Sequence, residues 1–226
     1  IYHRLGYNSQ NDTSIRFSIF DAMPETTTLI AEDKKGEIAG VLTLVFDSPV
    51  GIPADGIYRP HIESMRNDGA YLCELISFGT ADGTRGSVKN IAGLFFCAYL
   101  LAWRARKATH FVINVTENHE KFYCNNLLFT RIGPAKRCKR IQGTPVVLLV
   151  LPFELGNKMR EICRLFPVSI LDYSAEQENQ IAQQLLKMAI PMTAEEFNSF
   201  SNLATDIYEN STSIQKTVLT DLYPSP

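Results

Sequence analysis

The apolar run from Tyr71 to Phe78 holds a single carboxylate, Glu74. A charge in such a run needs a partner or a purpose. Period-two alternation sends Cys73 and Leu75 to the face opposite Glu74. Two readings stand open: a general base, working directly, through a held water or by orienting an amine, or an outward-facing polar residue. A second constellation is Thr84-Arg85-Gly86-Ser87-Val88-Lys89-Asn90, which leads into a long apolar segment. Free N–H groups at a helix start attract phosphate, and Arg85, Ser87 and Lys89 add donors there. The alternative is a polar helix start with its own cap. A third is basic: Arg131, Lys136, Arg137, Lys139 and Arg140 place five cations in ten residues. They read as a dock for an acidic protein or as a solvated face. Nucleic acid suits them poorly, because no array of stacking aromatics accompanies the run.

Other chemistries find less support. His3, His61, His110 and His119 lack metal-ligand spacing. The five cysteines form no CxxC pair, and Cys73, Cys97, Cys124, Cys138 and Cys163 read as reduced thiols of a cytoplasmic protein. Cys124 has no His or Asn pattern to activate it as a nucleophile.

The elements that position these residues follow from pattern. Thr26 to Glu32 and Glu37 to Phe46 form a β-hairpin around Asp33-Lys34-Lys35-Gly36. A helix covers Ile57 to Arg66, and a buried strand covers Ala70 to Thr80. Ser87 to Lys107 carries apolar residues at helical spacing and ends in Arg104, Arg106 and Lys107. His110 to Val115 is a strand, Asn118 to Asn126 a helix with Asn118 as N-cap, and Phe129 to Ile132 a strand. A basic linker then precedes the strand Pro145 to Pro152. This order predicts an α/β fold with a central sheet. Residues 155–226 read as three or four helices broken near Pro167, Pro191 and Asn210, giving a domain over 1–154 and a helical extension over 155–226 that packs on it.

The chain has 226 residues, with hydrophobic residues at 45% and charged at 20%, which excludes a disordered tail or a disulfide miniprotein. Its net charge of −2 argues against nucleic acid as main partner. That total hides an asymmetry. Residues 1–154 hold 17 basic against 15 acidic side chains, and residues 155–226 hold 5 against 9. The longest apolar run, Ile91 to Trp103, is too short to span a bilayer. The chain opens on Ile1 rather than Met, which reads as a partial N-terminus.

The order of elements resembles the GCN5-related N-acyltransferase fold, a mixed, mostly antiparallel sheet with splayed strands and flanking helices. Ordered motifs narrow the resemblance: Asp47-Ser48-Pro49 with Ile52-Pro53, Cys73-Glu74-Leu75-Ile76-Ser77, Asn118-His119-x-x-Phe122-Tyr123, Ile132-Gly133, and Gly143-Thr144-Pro145-Val146-Val147-Leu148-Leu149. Over about residues 26–153 the chain resembles the long-chain N-acyl amino acid synthases and the related acyl-homoserine lactone synthases.

The resemblance implies transfer of a fatty acyl group from a pantetheine thioester to the amine of an amino acid, with no resident cofactor. It implies catalytic roles for Glu74 as base and Tyr123 as proton donor to the leaving sulfur. It implies donor binding by Ser77, Phe78, Arg85, Gly86, Ser87, Lys89 and Asn118, with a backbone N–H of the splayed strand serving the oxyanion. Coenzyme A-dependent relatives carry Arg/Gln-x-x-Gly-x-Gly/Ala in the loop. Here Val88 and Asn90 stand where glycine is expected, which favours the single phosphodiester of an acyl carrier protein over a full pyrophosphate. Arg131, Lys136, Arg137, Lys139 and Arg140 then become the carrier-protein dock, and Leu94, Phe95, Leu101, Phe111, Val115 and Phe122 line an acyl slot or simply fill the core. Relatives place Gly where Leu128 stands, so Asn125 or Asn126 takes the left-handed turn. Ile76-Ser77-Phe78 stands where lactone-forming members carry Arg, so lactone formation is not expected. The alternatives are a coenzyme A-dependent acetyltransferase, and a silent member that only binds a lipid or carrier protein.

Overall fold

A computed structural model describes residues 17–80, 88–155, 173–203, 207 and 211–224. The hairpin joins β1 (Thr27–Glu32) to β2 (Ile38–Phe46), with Leu29 opposite Leu42. Its turn is closed by the Asp33 carboxylate, which accepts the N–H groups of Lys35 at 2.7 Å and Glu37 at 3.0 Å. After α1 (Asp55–Asn67) comes β3 (Leu72–Thr80), antiparallel to β2. The next strand, β4 (His110–Thr116), runs parallel to β3 and requires a crossover. That crossover is α2 (Val88–Tyr99), continued by a π-helical turn over Leu100–Ala105. The wide turn shows in the bond from Arg106 N–H to the Leu101 carbonyl at 2.9 Å.

The chain then forms α3 (Glu117–Leu127), β5 (Thr130–Arg131), β6 (Lys136–Cys138) and β7 (Thr144–Pro152). Seven residue pairs join β4 to β7 antiparallel, and β5 and β6 both pair along β7. The sheet order is β1-β2-β3-β4-β7-β5. One face packs on α2 through Leu44, Cys73, Leu75, Phe111, Ile113 and Leu149, among others. The other packs on α1 through Val45, Leu72, Val112, Leu148 and the enclosed Tyr58 and Ile62. Tyr58 departs from helical geometry two residues before Pro60, whose ring cannot continue a regular turn.

Among the described residues three further helices follow: α4 (Ala175–Lys187), α5 (Ala194–Leu203) and α6 (Ser213–Leu222). Pro191 lies in the break between α4 and α5. Ser174 and Gln177 form a capping box on α4, and Thr212 and Gln215 repeat it on α6. Arg104 on the π-turn fastens α4 by donating to the buried Glu178 from Nε at 3.0 Å and Nη2 at 2.6 Å. Tyr223 stacks on Phe197 at 4.2 Å and donates to the Ala22 carbonyl at 2.7 Å. Among the described residues no helix is long and apolar enough to cross a membrane.

Three local expectations need correction. Thr116, not Asn118, is the N-cap of α3, because the extended backbone gives way to helix two residues earlier than the side-chain type implied. Leu128 itself takes the left-handed turn, at φ 59°, and its side chain packs against the core. The basic stretch after Gly133 is not a linker but contains β6, which hydrogen-bonds to β7 through Lys136–Cys138. Pro167 and Asn210 lie outside the described residues.

Candidate active site

Parallel pairing between β3 and β4 covers only Leu72 to Glu74 against His110 to Val112. Beyond these pairs both strands continue, β3 to Thr80 and β4 to Thr116, without pairing to each other. They part, and the facing backbone edges lose their ladder. The parting stretch of β3 is also bulged. Val41 pairs with Gly79 and Thr43 with Ile76, so Ser77 and Phe78 together oppose Leu42. Ser77 holds φ 54°, a left-handed conformation that side chains rarely adopt. The bulge redirects backbone N–H and carbonyl groups at the mouth of the opening, where an oxyanion would need a donor.

Glu74 sits at the root of this opening, on the α1 face, and is fully enclosed. Its Oε2 accepts the Ala54 N–H at 2.6 Å, and its Oε1 accepts Nδ2 of Asn114 at 2.9 Å. The Ala54 N–H is aimed by a braced loop. Arg66 forks onto Asp47 at 2.7 and 2.8 Å and onto Asp55 at 2.7 Å twice. Asp55 Oδ2 also accepts the Ile52 N–H at 2.8 Å. The turn at Gly51, φ 76°, must be glycine, since a Cβ there would lie 2.6 Å from the Asp55 carboxylate. These two carboxylates push the Arg66 guanidinium above its ordinary range, despite partial burial.

Tyr123 lies on the other face of the sheet. Its ring meets Phe95 at 6.4 Å, Phe122 at 5.2 Å and Phe129 at 5.8 Å. Phe95 in turn meets Phe78 at 5.3 Å, so an aromatic row joins the bulge to α3. Glu74 and Tyr123 thus address the parted strands from opposite faces. Leu94, Phe95, Leu101 and Phe111 are core residues on the Tyr123 face, Val115 is partly buried there, and Phe122 is exposed. Burial and then Glu120 push the Cys124 thiol up, with Arg131 opposing them, which works against a nucleophilic role.

The remaining candidates are dispersed. Arg85, Gly86 and Ser87 lie outside the described residues, and of Lys89 only its place in the first turn of α2 is described. Asn118 is exposed in the first turn of α3. The basic run divides. Arg131 donates to Glu120 at 3.1 Å and to the Gly133 carbonyl at 2.8 Å. Lys136 turns inward to the Ile57 carbonyl at 3.2 Å and lies 4.9 Å above the Tyr58 ring. Arg137 and Lys139 are exposed, and the Arg140 side chain is outside the described set. Among the described residues no cluster of His, Cys, Asp or Glu suits a metal ion.

Sequence reasoning missed Asn114 and the Asp47–Arg66–Asp55 brace. Asn114 had a signal, as the one polar side chain between Phe111 and Val115. The brace had none, because Asp47 stands in the loop after β2 while Asp55 and Arg66 lie at opposite ends of α1.

An otherwise antiparallel sheet with one parallel pair that parts beside a bulge defines the acyl-CoA N-acyltransferase class of fold. Solved structures agree. FeeM, an N-acyl amino acid synthase from uncultured soil microbes, superposes with a TM-score of 0.59 at 22% identity, covering 70% of this chain and 87% of that one. TofI, solved in a ternary complex with an inhibitor and MTA, gives 0.51 at 16% identity, covering 78% of this chain and 85% of that one. No curated protein matches the sequence. The family model for the N-acyl amino acid synthase FeeM matches residues 1–152. The chain belongs to this family and is an N-acyltransferase that joins an acyl group to the amine of an amino acid.

Proposed function

We propose that the acyl group is long-chain, that it arrives on the phosphopantetheine arm of an acyl carrier protein, and that a free amino acid is the acceptor. The observation that carries this reading is the parting of β3 and β4 between Glu74 and the bulge at Ser77. A thioester lying in that opening presents its carbonyl to the backbone N–H groups at Ser77 and Phe78. The amine approaches from the Glu74 face. An α-amino group is largely protonated at neutral pH, so its neutral form is the one that binds and attacks, and on attack it must shed a proton. Glu74 is enclosed, so the proton reaches it through one intervening water. The C–N bond forms, the C–S bond breaks, and the sulfur leaves toward the face of Tyr123, whose hydroxyl supplies its proton.

Carrier protein is favoured over coenzyme A by sequence. Val88 and Asn90 replace the glycines of a pyrophosphate cradle, while Arg85, Gly86, Ser87 and Lys89 suffice for one phosphodiester. Arg137 and Lys139 offer exposed charge to an acidic carrier, with Arg131, Lys136 and Arg140 adding to the local field. The described helices of the extension after residue 154, α4 to α6, act as a cover for the acyl-transfer domain over 1–154. The test is mass spectrometry of the protein incubated with the twenty amino acids and either palmitoyl-acyl carrier protein or palmitoyl-coenzyme A. Product from the carrier-bound donor at low salt, weakened by raised salt, supports the reading. Product from coenzyme A alone refutes the donor assignment.

A further inference from the structure

Asn114 stands on β4 two residues beyond Val112, the last residue paired to β3, and so lies on the parted stretch. Its side chain bridges back across the opening to Glu74 at 2.9 Å. A carboxylate cannot donate, so the group facing Glu74 is the amide nitrogen, and the orientation of the amide follows from its partner's chemistry. The amide oxygen is then the other terminus. That Oδ1 is buried and has no hydrogen-bond partner among the described residues. A buried acceptor left unpaired is costly, and native structures rarely keep one without a reason. Asn114 shares the sheet face of Val112 and Glu74, which is the face from which the amine comes.

We infer that Asn114 is the acceptor-reading residue of the site: its Nδ2 holds Glu74, and its Oδ1 accepts an N–H of the attacking amine. This rests on the acyl-transfer reading above. A neutral primary amine has two N–H bonds and a lone pair. One N–H goes to Oδ1, the other is directed toward Glu74, and the lone pair is left aimed at the thioester carbon. On attack the C–N bond forms and the C–S bond breaks. One proton leaves nitrogen for Glu74 through the intervening water, and Tyr123 supplies the one that ends on sulfur. A secondary amine has a single N–H and cannot serve both groups. The site therefore selects primary α-amines and rejects their N-methyl counterparts.

The experiment uses palmitoyl-acyl carrier protein, the amino acid giving most product, and its N-methyl form. The wild-type protein should prefer the primary amine more than tenfold in kcat/KM. Asn114→Leu should raise the acceptor KM at least tenfold, leave the donor KM within twofold and lose the preference. Asn114→Asp keeps an acceptor oxygen but sets a second carboxylate beside Glu74. It should retain the preference and move the acid limb of the pH–rate profile upward. Circular dichroism checks folding. If Asn114→Leu does not fold, the wild-type preference and the Asn114→Asp profile still decide. Equal use of both amines by wild type, or an unchanged acceptor KM in folded Asn114→Leu, overturns the inference. Glu74→Gln separates the two readings: full activity in that variant sinks the acyl-transfer mechanism, whereas inactive Glu74→Gln beside unchanged Asn114→Leu sinks only the role of Asn114.

Discussion

Replacing Arg66 by Met should cost far more than its place near the surface suggests. The guanidinium makes four charge-assisted bonds of 2.7–2.8 Å to two carboxylates, and its side chain is 28% exposed while theirs are 12% exposed. Breaking a buried pair by removing one partner costs about 3–5 kcal/mol. Water reaching the edge of Arg66 reduces this to about 2–3 kcal/mol, which for a chain of this size is a fall of roughly 5–10 °C in Tm. The Arg66 pKa is raised, so its contribution is complete throughout the neutral range and lost only at strongly alkaline pH, above the ordinary arginine range. The loss should therefore be the same at pH 6 and pH 8 as far as Arg66 itself is concerned. Arg66→Lys keeps the charge without the fork and should fall between. Urea denaturation of both variants reads the effect, with Arg59→Ala as control. Arg59 pairs with Glu63 at 3.5 Å on an exposed helix face and should be worth about 0.5 kcal/mol or less. Arg66→Met should also slow acyl transfer, because the braced loop aims the Ala54 N–H at Glu74. A loss below about 0.5 kcal/mol, as small as that at a surface pair, would refute the reasoning.

Other positions give sharper local tests. Ser77→Gly relieves the left-handed backbone and should retain activity, whereas Ser77→Val puts a β-branched residue at φ 54° and should cost about 1–2 kcal/mol and most of kcat; urea melts and steady-state kinetics measure both. Burial lowers the His110 pKa, with Glu154 opposing. The unfolded chain then binds the extra proton first, so this residue destabilises the protein as pH falls below about 6.5 and is silent above it. His110→Asn should shrink the difference in Tm between pH 7.5 and pH 5.5. Glu178→Gln removes the buried charge that Arg104 holds and should cost about 2 kcal/mol, seen as faster limited proteolysis around α4.

Glu74 was legible because a carboxylate in an apolar strand has to be explained, and its face followed from alternation alone. The central sheet was legible for a similar reason, from β-branched runs alternating with a long apolar helix, but its one parallel pair was not read from the pattern. The bulge was not, since Ser77 carries no glycine or proline to mark it, and its register depends on pairing with β2. Asn114 acquires meaning only from Glu74, 40 residues away in sequence. Leu128 illustrates the opposite failure. Local preference pointed to Asn, but packing of the leucine side chain on the core outweighs the cost of its backbone. The basic run read as a uniform patch because charge is visible in sequence and direction is not. Lys136 points inward while Arg137 points out.

The account depends most on Glu74 acting as the base at the parted strands. The direct measurement is single-turnover formation of N-palmitoyl amino acid from palmitoyl-acyl carrier protein, compared between wild type and Glu74→Gln. Glutamine keeps the shape and accepts the Ala54 N–H but cannot take a proton. The account predicts that the variant folds and that its rate falls about 10²–10⁴-fold. A folded Glu74→Gln protein that makes product at the wild-type rate would contradict it.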